Sequence, residues 1–160
     1  MILKIDHRCN ILIGNDATFA AVAREQAPAM AAEEVAAVMA DLRRWLAAPE
    51  IAAALARASY PPEARLERER AFLQRQGDAV VQGKIDRLVT LRAGGRVIGA
   101  EVLDYKSDGV EADAIPALVE QYRPQMEAYR AAVAAMYGLD PAAVRARLVL
   151  LAASVVRTVD

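Results

Sequence analysis

Cysteine and histidine are almost absent from this chain, and each absence excludes a class of chemistry. The 160 residues contain one cysteine, Cys9, and one histidine, His7. A single cysteine excludes an internal disulfide, a zinc site held by cysteines and a cysteine-bound iron–sulfur cluster. It is typical of a reducing compartment, so we expect a cytoplasmic protein. His7 has no partner for a catalytic dyad near it in the sequence, which favours a structural role.

Two further features are missing, an excess of basic charge and a long apolar run. The 20 basic and 21 acidic residues leave a net charge of −1, so DNA binding would need a local patch or a metal ion. No apolar run approaches the roughly 20 residues that a membrane span needs. Lys4, Asp6 and Arg8 interrupt the apolar N-terminus, so neither a signal peptide nor a membrane partner is expected. No GxxxxGK loop is present, which excludes an ATPase motor of that type within the chain.

The length is sufficient for one domain with a sizeable core. We expect a single domain over residues 1–160, with a helical N-terminal part over about residues 15–60 and a sheet-containing core over about residues 65–153. The mixture of helical and strand periodicity predicts an α/β fold, in which a small mixed sheet is flanked by helices.

The helical segments are predicted by apolar residues at helical spacing and by their caps. They are expected at about residues 17–26, 35–46, 49–57 and 115–137. Asn15-Asp16 is a plausible N-cap for the first segment, and Gly138 a plausible C-cap for the last. Pro124 lies inside the last segment and predicts a kink or a restart there.

The strand segments are predicted by alternation over residues 65–75, by a high content of Val, Ile and Leu over residues 79–91, and by the glycine turns that separate the first three. They are expected at about residues 65–75, 79–91, 96–106 and 147–152. The first three would form an antiparallel meander with turns at Gly77-Asp78 and Gly94-Gly95. Residues 1–14 could form a further strand or a loosely attached arm.

Two acids and a lysine on neighbouring strands form the candidate site. Asp86 lies on the second strand of the meander, and Asp104 and Lys106 lie on the third. The chain has only three lysines, so a lysine two residues after a strand acid is informative. Side chains two apart project from one face, so Asp104 and Lys106 share a face with Ile98, Ala100 and Val102 as an apolar floor. On the preceding strand Asp86 is expected to share a face with Lys84, Gln82 and Leu88.

Whether the two acids meet depends on the hairpin register. A strict two-residue Gly94-Gly95 loop would pair Asp86 with Leu103 and put the acids on opposite faces. A three-residue loop, or one bulge, would restore a common face, so the site hypothesis predicts one of these two. A two-residue Gly77-Asp78 loop would also place Glu69 across from Asp86. Carboxylates in a small space repel each other, and a hard divalent cation relieves that repulsion.

Each residue has a simpler explanation when it is taken alone. Asp86 and Asp104 could be solvated strand acids, and Lys106 could be an edge-strand charge that opposes aggregation. Tyr129 lies on an apolar helical stripe, which favours the core, and Gln125 is ordinary on a helix surface.

Taken together, the residues resemble the PD-(D/E)XK nuclease superfamily, and more narrowly the C-terminal nuclease domain of RecB-like and AddA-like helicase–nucleases with a UvrD/Rep-type motor. In that family an E-x-x-F strand, a G-x-I-D strand, a D-Y-K strand and a Q-x-x-x-Y helix follow in order. The matching positions here are Glu69 and Phe72, Gly83 to Asp86, Asp104 to Lys106, and Gln125 with Tyr129. Each motif alone is common, but the four in order cover about residues 66–152.

The resemblance implies a restriction-endonuclease-like core and a role for each motif residue. It implies that Asp86, Asp104 and the backbone carbonyl of Tyr105 are ligands of Mg²⁺ or Mn²⁺, and that Lys106 is the catalytic lysine beside the two acids. The implied supporting residues are Glu69, Gln125 and Tyr129.

One departure concerns a histidine that the family usually carries in a G-x-x-x-H motif on its first helix, as a further metal ligand. Here Gly14 is followed by Asn15 to Phe19, without a histidine. This departure predicts weak activity, or a site in which Glu69 or water takes the missing place.

The functional expectation is a Mg²⁺- or Mn²⁺-dependent deoxyribonuclease, an exonuclease in DNA repair that forms the nuclease part of a recombinational-repair helicase–nuclease. Its partners would be DNA and a helicase motor in cis or in trans. The main alternative is a catalytically impaired DNA- or partner-binding domain of the same fold. A purely structural domain remains possible and predicts acids on opposite faces. Relatives with an iron–sulfur cluster are disfavoured, because the chain lacks the cysteines.

Overall fold

The computed structural model describes Ala21, Glu25 and residues 28–76 and 79–160. The predictions for residues 1–14, for the Asn15-Asp16 cap and for the turn at 77–78 lie outside the described residues, as does His7. Ala21 and Glu25, which fall in the first predicted helix, are helical.

Within residues 28–64 two α-helices precede the sheet. Helix α1 spans Ala32–Ala47 and helix α2 spans Pro49–Leu55, as predicted, and a 3-10 turn follows at Arg57–Ser59. The Glu34 carboxylate accepts a hydrogen bond from the Ala31 N–H at 2.9 Å, which satisfies one of the free amides at the start of α1. Helix α2 buries Ile51 fully against the sheet, so it covers one face of the fold.

In the part of the chain that the structure describes, the sheet has five strands, in the order β1-β2-β3-β4-β5. Their bounds are Arg65–Gln76, Ala79–Ala93, Arg96–Lys106, Val144–Leu150 and Val155–Thr158. Strands β3 and β4 are parallel, and the other neighbours are antiparallel. The mixed sheet and its antiparallel meander are therefore confirmed. Strand β4 begins three residues before the predicted start, and the short β5 was not predicted.

Helix α3, Ile115–Tyr137, connects β3 to β4 and covers the sheet face opposite α2. It runs continuously through Pro124, so the restart that was one of two expectations does not occur. Gly138 ends the helix in the left-handed conformation, with φ of 65°, as the C-cap prediction requires. Met126 and Val133 of α3 are fully buried against the sheet.

The register of β2 against β3 is set by a tight turn and a bulge. Ala93 pairs with Arg96 across Gly94-Gly95, and both glycines have positive φ, as a two-residue hairpin of this type needs. The register then shifts by one between Leu91 and Arg92. This is the bulge that the site hypothesis predicted as one of its two alternatives.

The bulge brings the two acids to matching positions. Beyond it Arg87 pairs with Leu103, so the same register places Asp86 opposite Asp104. One expectation is wrong: Ile98 does not lie on the apolar floor below the acids. It is the extra residue of the bulge and is 59% exposed.

The alternation of faces along β2 reverses at Asp86, which was not predicted. Gly83 and Ile85 lie on the α3 side, yet Arg87 donates to the Leu55 carbonyl of α2 on the other side. Leu88 lies on the α3 side again. Strict alternation predicts that Asp86 shares one face with both Lys84 and Leu88, and this prediction is wrong.

Candidate active site

The site lies where β2 and β3 separate. Their ladder ends at the pair Arg87–Leu103, one position before Asp86 and Asp104. Beyond this point side chains provide the hydrogen bonds that the partner strand no longer provides. The Tyr105 N–H donates to Asp86 Oδ2 at 2.9 Å, and the Tyr129 hydroxyl donates to the Lys84 carbonyl at 3.0 Å.

Lys106 occupies the gap between the two strands. Its Nζ lies 2.7 Å from Asp104 Oδ2 and donates to Gln125 Oε1 at 3.0 Å. The same Nζ lies 4.0 Å from the centroid of the Tyr122 ring, within the range of a cation–π contact. Three groups therefore hold the amine against the acid, and the lysine side chain is only 15% exposed.

A hydrogen-bond relay fixes Gln125 in turn. Gln125 Nε2 donates to the Tyr129 hydroxyl at 2.7 Å. The Tyr129 ring is buried and meets Phe72 edge-on, with ring centroids 5.6 Å apart. Tyr129 is thus both a core residue and a neighbour of the site, so the two interpretations of its stripe position do not compete.

Glu69 lies across from Asp86, between the pairs Arg68–Arg87 and Arg70–Ile85. Strand β2 begins at Ala79, which pairs with Gln76, so the connection has the two residues that the predicted position of Glu69 required. The Glu69 backbone is left-handed, with φ of 53°, an unusual conformation for a residue with a side chain. The face reversal of β2 occurs directly opposite this residue. Glu69 Oε2 lies 2.8 Å from Lys84 Nζ.

The electrostatics of the acids reflect crowding and burial. Burial, together with the charges of Asp104 and Glu69, raises the pKa of Asp86 to about 6, although the Tyr105 N–H and Lys106 oppose the rise. Burial also raises the pKa of Asp104, and the hydrogen bond and charge of Lys106 oppose that rise. Both carboxyl groups therefore hold their negative charge less readily than a solvated acid, which is the situation that a bound cation relieves.

The donor set suits a hard divalent cation, although it is small. Asp86 and Asp104 offer carboxylate oxygens, and these are the ligands that Mg²⁺ and Mn²⁺ prefer. The Tyr105 N–H is directed at Asp86, and the N–H and C=O of one strand residue point to the same side, so the Tyr105 carbonyl also faces the gap. Within the described residues, however, no three His, Cys, Asp or Glu side chains are grouped to hold a metal. The set is therefore two carboxylates and one carbonyl.

The simpler explanations of Asp104 and Lys106 do not fit their positions, and neither does the purely structural alternative. Asp104 is only 2% exposed, so it is not a solvated strand acid. Lys106 lies on β3, between β2 and β4, so it is not an edge-strand charge. The acids occupy opposing positions and interact electrostatically, so the opposite-face arrangement of a purely structural domain is not found.

Sequence reasoning missed the contribution of Tyr122. Tyr122 is not among the residues predicted for the site, yet its ring covers the Lys106 amine and its hydroxyl lies 3.2 Å from Asp108 Oδ2. Tyr122 precedes Gln125 by three positions, and residues three apart in a helix are neighbours on its surface. That spacing was the available signal.

The chain belongs to the PD-(D/E)XK nuclease superfamily, whose family model matches residues 7–159. Members of this superfamily are usually nucleases and typically use divalent metal ions, and the mixed sheet flanked by helices is consistent with a restriction-endonuclease-like fold. No curated protein matches the chain. No helix of the described part has both the length and the apolar character needed to cross a membrane.

Proposed function

We propose that this chain is a Mg²⁺- or Mn²⁺-dependent deoxyribonuclease that hydrolyses DNA phosphodiesters at Asp86, Asp104 and Lys106. One observation carries the proposal: Lys106 Nζ is held 2.7 Å from a buried acid at the point where two strands separate beside a second acid. A buried amine with three fixed neighbours, next to acids of raised pKa, is typical of a catalytic centre rather than of a surface charge.

The residues divide the work by their chemistry. Asp86, Asp104 and the Tyr105 carbonyl would hold the cation, which when bound supplies a nucleophilic water at neutral pH and polarises a phosphoryl oxygen. Lys106 is placed to orient the attacking water or to offset the charge that develops on the phosphate. Gln125 fixes the amine through its 3.0 Å hydrogen bond, and Tyr129 fixes Gln125.

Cleavage of end-labelled single- and double-stranded DNA with Mn²⁺ tests the proposal. We expect Asp104→Asn and Lys106→Gln to lose at least about 100-fold in rate, since each removes a group that acts at the reacting phosphate. Asp113→Asn and Arg96→Gln are matched controls, because both side chains are exposed and neither contributes to the site. Equal rates for the wild type and the site variants would refute the catalytic assignment.

The finer proposals rest on the sequence motifs. We infer that the whole chain is one nuclease domain, that it is an exonuclease of cytoplasmic DNA repair, and that it acts with a helicase motor as part of a RecB-like or AddA-like helicase–nuclease. Adding the motor to the reaction should convert slow digestion into processive degradation that depends on ATP. Unchanged digestion with every UvrD/Rep-type motor supplied would oppose that context.

A catalytically impaired binding domain is the second candidate, because only two carboxylates and a carbonyl converge among the described residues. Calorimetric titration with Mn²⁺ separates the two. The nuclease requires one site that is lost in Asp86→Asn, whereas the impaired domain would bind DNA without site-specific uptake of Mn²⁺.

A further inference from the structure

One exposed face of the β1–β2 hairpin adjoins the candidate active site and takes no part in it. From Ala71 to Arg75 and from Val80 to Lys84 the two strands alternate between a face packed on α3 and a face open to solvent. Phe72 and Gly83 pair on the packed face, and Val81 contacts the same core. We name the open side the outer hairpin face, and its described members are Ala71, Leu73, Arg75, Val80, Gln82 and Lys84, all of them exposed.

This face combines apolar and cationic groups. Leu73 is 72% exposed and Val80 is 64% exposed, the two highest values among the large apolar residues that the structure describes as exposed. Leu73 pairs with Gln82 and Arg75 pairs with Val80, so the two apolar side chains are diagonal neighbours on one surface. Arg75 and Lys84 supply positive charge, and the six members include no acid.

The outer hairpin face is continuous with the catalytic centre. Lys84 precedes Asp86 by two residues, and its Nζ pairs with Glu69, whose charge acts on Asp86. The Lys84 side chain is still 54% exposed, so a phosphate can reach the amine without rearrangement of the core. At the Lys84 end the face therefore meets Glu69, whose charge acts on Asp86, and from there it extends away along the hairpin.

We infer that the outer hairpin face binds the DNA strand that enters the catalytic centre, with Lys84 on a phosphate close to the cleaved bond and with Leu73 and Val80 against unstacked bases. A single strand suits this surface because it presents phosphates and apolar base faces in alternation. A partner protein or a second copy of this chain would use the apolar pair but would not require cations next to the active site. The inference rests on the proposed function, because it concerns the path of the same substrate.

Binding measurements in a variant that cannot cleave test the inference. The background is Asp104→Asn with Mg²⁺, and the probe is a labelled single-stranded oligonucleotide of about 20 nucleotides, followed by fluorescence anisotropy. Leu73→Thr/Val80→Thr removes most of the apolar surface and keeps strand propensity. Ile98→Thr is its control, since Ile98 is 59% exposed on another part of the sheet. Arg96→Gln, at the β2–β3 turn, is the control for Lys84→Gln.

We expect the double threonine variant to weaken binding by about 3- to 10-fold. Lys84→Gln should lower the slope of log affinity against log salt by about 0.7, the value of one phosphate contact in a single strand. The controls should bind within about 2-fold of the background. Unchanged affinity in both face variants would overturn the inference. Unchanged DNA binding together with loss of a dimer in sedimentation would assign the face to a second copy instead. If wild type fails to cleave but the face variants lose DNA binding, the proposed function fails while the strand-binding face stands.

Discussion

At the scale of single residues, Asp86 opposes the stability of the fold when no cation is bound. Its pKa is raised to about 6 from 3.8, so between these pH values the folded chain binds more protons than the unfolded chain. Stability therefore falls as pH rises through this window. The stabilising contribution of the protonated group is fully present below about pH 4 and is lost above about pH 6. A shift of this size, discounted for partial exposure, corresponds to roughly 2 kcal/mol.

Replacing Asp86 by asparagine should therefore stabilise the protein and abolish cleavage. The amide imitates the protonated acid, and its oxygen can still accept from the Tyr105 N–H. In EDTA at pH 7.5 we expect Tm to rise by about 5 °C, with little difference at pH 4. Thermal unfolding at both pH values measures this, with Asp113→Asn as the exposed control. A lower Tm at pH 7.5 would contradict the pKa assignment.

The same carboxyl group makes cation binding depend on pH. A cation must displace the proton of Asp86, and burial raises the pKa of Asp104 as well. We expect the affinity for Mn²⁺ to be nearly constant above pH 7 and to fall by about 10-fold or more per pH unit below pH 6. Calorimetry at pH 5, 6, 7 and 8 measures this. If the affinity for Mn²⁺ stays constant down to pH 5, the two acids with raised pKa, Asp86 and Asp104, are not the metal ligands.

Tyr122 should contribute to the rate through the position of Lys106. Tyr122→Leu removes the ring that lies 4.0 Å from the amine, whereas Tyr122→Phe keeps the ring and loses only the contact with Asp108. We expect the leucine variant to lose about 3- to 10-fold in kcat with little change in KM, and the phenylalanine variant to recover most of that loss. Single-turnover and steady-state kinetics measure both. Equal losses in the two variants would assign the effect to the hydroxyl instead of the ring.

At the scale of elements, the packing of β2 on α3 depends on the absence of a side chain at Gly83. A Cβ at this position would lie 2.7 Å from Cε1 of Phe72, so the ring must move, and Phe72 in turn contacts Tyr129. We expect Gly83→Ala to cost about 1–3 kcal/mol in the free energy of unfolding and to slow cleavage, because Tyr129 positions Gln125 and hence Lys106. Denaturant unfolding and rate measurements test this. Gly109→Ala is the control, since an added Cβ there meets nothing within 4 Å.

Periodicity predicted most elements because their apolar residues are buried on one side. The bounds of α3 were predicted to the residue. The side chains of Asp104 and Lys106 both lie on the α3 side of β3, as alternation requires. Alternation failed where the backbone departs from the regular strand. At Ile98 one extra residue enters the ladder, and at Asp86 the faces reverse opposite the left-handed Glu69. The bulge had a local sign in the sequence, because Gly99 follows Ile98 and an isolated glycine inside a strand suggests a bulge, whereas nothing at Glu69 or Asp86 indicated the reversal.

The sequence also predicted which residues form the candidate site better than it predicted the backbone geometry that brings them together. The ordered motifs predicted that Asp86, Asp104, Lys106 and Gln125 would meet, and the structure brings them together. Whether the two acids meet depends on the register, and the sequence does not distinguish a strict two-residue Gly94-Gly95 loop from a three-residue loop or a bulge. The contact of Tyr122 with Lys106 depends on how α3 rotates over the sheet, which helical spacing alone does not determine.

At the scale of the whole molecule, the balance of charge determines how DNA can be held. The net charge is −1, and in the proposed function a phosphate would approach Glu69, Asp86 and Asp104. Lys84 and Lys106 are the lysines at this site, and each already faces a carboxylate. In the proposed nuclease, long-range attraction to DNA would therefore be weak, and a bound divalent cation would offset the negative charge of these acids.

DNA affinity should consequently depend on the divalent ion more than on the overall charge of the protein. We expect binding of an oligonucleotide to Asp104→Asn/Asp86→Asn in EDTA to exceed that of the wild type in EDTA, because two repelling charges are gone. With Ca²⁺ as a non-cleaving ion, wild-type affinity should rise by about 10-fold or more, while the double variant should gain little. Anisotropy titrations at constant ionic strength separate this effect from general screening. An equal gain in both proteins would show that the cation acts on the DNA alone, and would remove the acids from the binding site.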